Sequence, residues 1–300
     1  MVSELTNRKL PFGLAEIGCC WKQNSGGNTR EDTQLLLVWC CSPSKVNQWF
    51  DYFLRHRLRW WKKFSVIPSK FVAVEGENTS SLNIEYKGCW GNTVLETVQN
   101  HGNLKEYLHR ETSDELQGRD GRRSIIPHVI SATASLNQGT FSLLLDACQP
   151  RGLLDRRSAS NATTKMVLVK MVVLVLKMKR RSHVHDRLVL RMHPWLAPLK
   201  IAVDLISNPS LELKQLCEGL YRELLAAGLT VWPAYLNTEH TDIEQYFTRH
   251  DEMGIVFTVL VSDVTLENGT VRLRYRNTGI EEVTHLTLLT PYVQRYIEKS

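Results

Sequence analysis

Two clusters of positive charge carry the clearest chemistry in this sequence. Residues 46–64, VNQWFDYFLRHRLRWWKKF, interleave arginine and lysine with tryptophan, phenylalanine and tyrosine. Guanidinium and ammonium groups neutralise phosphates, and aromatic faces stack on bases or bury in a core. Arg55, Arg57, Lys62 and Lys63 are therefore candidate nucleic-acid contacts, with a core-packing helix and a solvated basic back as the alternative. The second cluster is the run GRDGRR at 118–123, a tight cationic turn. Its backbone amides, together with Arg119, Arg122 and Arg123, form a candidate phosphate-binding site, although turns of this composition also occur as plain loops.

The remaining reactive residues point away from catalysis. None of the cysteines Cys19, Cys20, Cys40, Cys41, Cys89, Cys148 and Cys217 forms a C-x-x-C pair. Neighbouring cysteines on a strand face opposite sides, so they read as reduced core residues rather than zinc ligands. His183 and His185 sit two apart with no further ligand nearby, and the expectation is no metal and no cofactor. Asn268-Gly269 reads as a β-hairpin turn, with Val271, Leu273 and Tyr275 inward and Arg272, Arg274 and Arg276 outward on the second arm.

These groups need a scaffold, and 300 residues suggest two domains with sizeable cores. No apolar run reaches the roughly 20 residues of a membrane helix. The amino end, MVSELTNRKLPFGLAEIG, has the look of neither a secretory signal nor a transit peptide, which suggests a cytosolic chain or a targeting segment upstream. Charge is concentrated in the middle. Residues 151–192 hold 11 Lys/Arg against 2 Asp/Glu, so this band alone accounts for the formal charge of +6. Such a band suits nucleic acid or a solvated linker.

Strands are expected at Leu10–Lys22, half-buried after a turn, and at Leu35–Cys41, Phe71–Val74, Leu82–Tyr86 and Ser124–Ala132. Helices are expected at Lys45–Phe64, Asn92–Leu108 and Thr140–Ala147. The apolar stripe of the first is Val46, Trp49, Phe50, Phe53, Leu54, Leu58 and Trp61. Beyond the basic band, Lys200–Leu205 reads as a buried strand. Leu213–Leu225 is an amphipathic helix closed by Gly228, and Leu229–Pro233 is the next strand, completing a βαβ unit. A helix at Asp242–His250 opens on a Thr241/Glu244 capping box. A buried strand at Gly254–Val261, the Asn268-Gly269 hairpin and a closing helix at Leu289–Lys299 follow. The division expected is 1–150, a basic insertion or linker at 151–192, and 193–300.

The segment HPWLAPLKIAVDLI…LCEGLYRELLAAGLTVW resembles the anticodon-binding domain of the class II aminoacyl-tRNA synthetases for glycine, proline, threonine and histidine. LPFGLAEIGCCWKQN resembles motif 2 of the glycyl type, and HVISATASLNQGTFSLLLDA stands where motif 3 would be. Together with NQWFDYFLRHRLRWWKKF, GRDGRR, HDEMGIVFTVLV and TLENGTVRLR, these blocks resemble the accessory subunits of mitochondrial DNA polymerase gamma over about residues 10–148 and 192–300. The implied fold is α/β (α+β): a degenerate synthetase-like antiparallel-sheet core followed by an anticodon-binding-type mixed α/β domain.

Departures from the synthetase motifs matter. Lys22 stands at the motif 2 arginine and Asn24 at its acidic position. Gln138 stands at the motif 3 arginine, with Ser135 and Asn137 at the glycines. Lysine and glutamine do not reproduce a guanidinium fork on ATP phosphates. The resemblance thus implies a mitochondrial, non-catalytic processivity factor that binds a polymerase catalytic subunit and primer-template DNA. A homodimer is one further implied assembly. For the polymerase it directs attention to Gly269, Arg272 and Arg274. The rival readings are a tRNA-binding module and a glycyl-type synthetase.

Overall fold

The computed structural model describes residues 7–23, 29–76, 80–108, 116–151, 188–206, 210–236 and 243–300. Most of the basic band, both its histidines and Thr241 lie outside these residues. Two compact units result, Met1–Leu143 and Leu144–Ser300.

The first unit is built on strands β1 (Phe12–Gln23), β2 (Thr29–Cys41), β3 (Phe71–Glu75), β4 (Ser81–Gly88), β5 (Gly91–Asn103) and β8 (His128–Ser135). They form one antiparallel sheet in the order β1-β2-β8-β5-β4-β3. Helix α1 (Val46–Phe64) lies across one face, packing on β3, β5 and β8. The helix stripe works as its spacing suggests at both ends, where Val46 and Trp61 are buried. Trp49, Phe50 and Phe53 pack half-buried against the core of Cys41, Val98, Ile130 and Ala132. Two small strands, β6 (Gly118–Asp120) and β7 (Arg123–Ile125), form a separate hairpin.

Two expectations fail here. Asn92–Leu108 is mostly strand, with only the short helix α2 at Leu104–Tyr107. The run TVLETV places Leu95 and Val98 on the sheet, and β-branched residues prefer a pleated surface flanked by β4 and β8 over a helix. Strand β1 is not half-buried either. It is the edge of the sheet, and Leu14, Ile17 and Trp21 are 47%, 64% and 70% exposed. Helix α3 (Leu136–Ala147) begins four residues earlier than its pattern suggests.

The second unit carries a two-stranded ribbon, β9 (Cys148–Pro150) with β10 (Leu188–Leu190), and a five-stranded sheet. The latter comprises β11 (Ile201–Leu205), β12 (Val231–Pro233), β13 (Phe257–Val261), β14 (Thr270–Tyr275) and β15 (Glu281–His285), ordered β12-β11-β13-β14-β15. Strand β11 runs parallel to both β12 and β13, and the rest is antiparallel. Helix α4 (Leu211–Ala226) joins β11 to β12, as the βαβ reading requires. Ser210 opens it, its Oγ accepting from the Leu213 amide at 3.1 Å, and the left-handed Gly228 (φ +81°) follows its end. Leu213, Cys217, Leu220 and Leu224 form its buried face. Helices α5 (Ile243–Glu252), α6 (Asp263–Asn268) and α7 (Leu286–Lys299) complete the unit. Leu289 and Val293 of α7 join the core around Phe257 and Val259.

Among the described residues, no helix is long and apolar enough to cross a membrane.

Candidate phosphate-binding and partner surfaces

Helix α1 divides its cations between two environments. Arg57 turns toward the sheet, where its Nε donates to Glu96 Oε1 at 2.7 Å. Trp61 Nε1 donates to the other oxygen, Glu96 Oε2, at 2.8 Å. Glu96 is 1% exposed, so its charge is compensated by a guanidinium and an indole N–H, and the helix is locked to β5. Arg57 also lies 4.9 Å above the Trp60 ring. Through its Nε it ties the helix to the sheet.

The outer face differs. Tyr52, Arg55, His56, Arg59 and Lys63 are all exposed, and their spacing of three and four puts them in one stripe. Tyr52 and His56 stack with ring centroids 5.7 Å apart. Arg55 forms a solvent-facing ion pair with Asp51 at 2.9 Å, an i,i+4 contact of a kind that contributes little and opens readily. Lys63 sits 5.6 Å from the Phe64 ring. Lys62 is half-buried, and its carbonyl accepts from the Ser65 amide and hydroxyl. Arg59, absent from the candidates, belongs to the stripe. Its position between Arg55 and Lys63 at helical spacing was the available signal.

The β6–β7 hairpin matches the expected tight turn. Asp120 pairs with Arg123 across a two-residue loop whose first position, Gly121, has φ +64°. Glycine at that position is what a type II′ hairpin turn demands. Arg119, Arg122 and Arg123 are exposed, and the first two line a concavity with Arg8, Gln117, Gly121 and Ser124.

The carboxy-terminal candidates separate. Asn268-Gly269 is not a hairpin turn. Asn268 ends α6, and Gly269 is its left-handed cap at φ +70°, its amide donating to the Thr265 carbonyl at 3.0 Å. A helix end and a hairpin both need positive φ, so the dipeptide alone does not distinguish them. Ser262 and Thr265 form a capping box that stabilises the short helix between β13 and β14.

Arg272 is exposed and pairs with Glu281 at 3.3 Å. Arg274 and Arg276 are not outward. Arg274 is 2% exposed and forms a two-point pair with Asp251 under the Phe247 ring, 4.3 Å from its centroid. Arg276 donates to the Gly254 carbonyl at 2.7 Å and the Met192 carbonyl at 2.6 Å. Burial, opposed by Asp251, brings its guanidinium down to about 10. Alternation fails as a guide because β14 lies inside the sheet, and Phe247 and Asp251 of α5 cover Arg274 on the face assigned to solvent.

In the segment that resembles motif 3, Ser135 is buried. Its Oγ donates to Asp32 Oδ1 at 2.6 Å and accepts from the Gln138 amide at 3.2 Å, so a side chain occupies the start of α3. Asn137 and Gln138 are exposed. The Lys22 side chain and Asn24 lie outside the described residues. Among the described residues, no group of three His, Cys, Asp or Glu is placed to hold a metal.

Residues 200–295 match the family model described as "Anticodon binding domain". Over 98% of its length the chain is 39% identical to DNA polymerase subunit gamma-2, mitochondrial, of Xenopus laevis. The chain is thus similar to DNA polymerase subunit gamma-2. It spans 61% of the length of that Xenopus subunit. A more distant similarity, 26% identity over 91% of the chain and 54% of the relative, is to the glycine–tRNA ligase of Thermus thermophilus. The fold also matches prolyl-tRNA synthetase from Cryptosporidium parvum, with a TM-score of 0.63 over 97% of this chain and 56% of the other, at 12% identity. The architecture is thus that of a class II synthetase core with an anticodon-binding domain.

Proposed function

We propose that this chain has no catalysis of its own and acts as the accessory subunit of DNA polymerase gamma, holding that enzyme on primer-template DNA during mitochondrial DNA replication. The similarity to gamma-2 subunits along nearly the whole chain carries the reading. Two observations support it. By resemblance to the synthetase motifs, Lys22, Asn24, Ser135, Asn137 and Gln138 stand where a synthetase would carry groups for ATP and its amino acid. The exposed cations of α1 and of the β6–β7 hairpin supply binding electrostatics instead. Arg55, Arg59, Lys63, Arg119, Arg122 and Arg123 are the proposed DNA contacts. The exposed Arg272 and the neighbourhood of Gly269 are the proposed polymerase contacts. A mitochondrial location follows the relative's name.

The test is primer extension by the gamma catalytic subunit with and without this chain at moderate salt. Longer products in its presence support the proposal, and unchanged product length counts against it. ATP–pyrophosphate exchange with glycine addresses the enzyme alternative, since robust exchange defeats the non-catalytic reading. Competition between tRNA and primer-template duplex addresses the anticodon-domain alternative.

A further inference from the structure

We infer that the β6–β7 hairpin, with the chain beside it, forms a discrete seat for a phosphate group carried on a sugar. The seat is a concavity of about 530 Å³ lined by Arg8, Gln117, Arg119, Gly121, Arg122 and Ser124. That is room for a phosphate and the sugar bearing it, within the range of small-molecule sites. Three of the six lining residues are arginines, and none of the six is acidic. No residue of α1 lines it, so it is separate from the basic helix stripe.

The backbone organises the seat. The Leu10 amide donates to the Arg119 carbonyl at 3.0 Å, and the Arg119 amide donates to the Arg8 carbonyl at 2.5 Å. These bonds hold the Arg8 and Arg119 segments side by side. The Gly121 turn returns the chain so that Arg122 joins the same lining. Ser124 Oγ donates to Gln117 Oε1 at 2.6 Å, tying the two flanks of the hairpin together. Arg119 and Arg122 enter no ion pair with the described residues.

Arg119 and Arg122, brought together in one concavity, repel unless an anion joins them. Planar guanidinium forks grip phosphate oxygens two at a time, and they stay charged at any accessible pH. A carboxylate offers two oxygens for one fork, whereas a phosphate offers three or more for several. The chemistry therefore selects phosphate, from either a nucleic-acid backbone or a free phosphorylated compound. This inference stands whether or not the chain serves a polymerase.

The experiment is calorimetric titration of the full chain with inorganic phosphate, followed by titration with a short duplex. The variants are Arg119→Gln/Arg122→Gln and, as a control, Arg59→Gln/Lys63→Gln, each checked for folding by circular dichroism. Saturable phosphate binding is expected in the unmodified chain, about tenfold or more weaker in the hairpin variant and unchanged in the helix variant. No saturable binding, or equal binding in the hairpin variant, overturns the seat. If the hairpin variant also loses duplex affinity, and phosphate competes with duplex, the source is the nucleic-acid backbone. If its duplex affinity is unchanged, the seat serves a free phosphate compound. Phosphate binding by a chain that binds no duplex defeats the DNA reading above and leaves the seat standing.

Discussion

Arg274 and Asp251 join β14 to α5 by two parallel hydrogen bonds, Nη1 to Oδ1 at 2.9 Å and Nη2 to Oδ2 at 3.0 Å, with both side chains 3% exposed. Neither charge has water to fall back on. The pair is thus valuable less for what it adds than for what breaking it leaves behind.

Arg274→Met strands the Asp251 carboxylate in the interior and is expected to cost about 3–5 kcal/mol of unfolding free energy. The double variant Arg274→Met/Asp251→Asn should recover a substantial part of that loss. Urea titrations of the single and double variants measure both. A single-variant loss below about 1 kcal/mol would contradict the burial argument.

Asp204 on β11 provides a pH-dependent contrast. Burial, partly offset by the Leu205 amide, raises its carboxyl from 3.8 to about 7. The fold therefore favours the neutral acid. Stability from this group is fully present below about pH 4 and declines as pH rises to about 7, then stays level. Asp204→Asn should flatten that decline, gaining most over the unmodified chain at pH 8. Melting temperatures of both proteins from pH 4.5 to 8 give the comparison, and parallel curves would refute the assignment.

Gly269 stands at φ +70°, and an added Cβ would lie 2.7 Å from His285 Nε2. Gly269→Ala should lower stability by about 1–2 kcal/mol through the left-handed backbone alone. Gly269→Asn should cost less, because asparagine tolerates that region. Capture of the gamma catalytic subunit by each variant, scaled to the folded fraction, separates this backbone effect from a direct contact.

The two classes of cation on α1 should behave oppositely. Arg59→Gln and Lys63→Gln should weaken duplex binding and lower the salt slope by about 1 for each phosphate that the variant no longer neutralises. Arg57→Gln should instead lower stability, since Glu96 loses its guanidinium partner in the core. Fluorescence anisotropy across a salt series and urea unfolding together distinguish these outcomes. An equal drop in affinity for Arg57→Gln and Arg59→Gln would erase the distinction.

Periodicity and turn chemistry made α1, α4, the βαβ connection and the closing helix legible, because each helix gathers its apolar residues on one face and Ser210 and Gly228 bracket α4. Periodicity failed at Asn92–Leu108, where neighbouring strands recruit a sequence of mixed propensity. At Asn268-Gly269 the same positive-φ requirement serves a helix end as well as a hairpin. The candidate cations were found as residue types, but their availability was not. Arg55, Lys63 and the hairpin arginines face solvent, whereas Arg57 and Arg274 face buried carboxylates distant in sequence, at Glu96 and Asp251.

By itself, then, the sequence determined the stock of groups: a basic helix, an arginine-rich turn, and Lys22, Asn24, Ser135, Asn137 and Gln138 in segments that resemble synthetase motifs. Local spacing encodes these because helix and turn geometry depend on near neighbours. Only the tertiary structure decided which arginines are consumed in holding the chain together. A guanidinium's partner is chosen by the packing of strands and helices, and β5 and α5 bring Glu96 and Asp251 to Arg57 and Arg274 from 39 and 23 residues away.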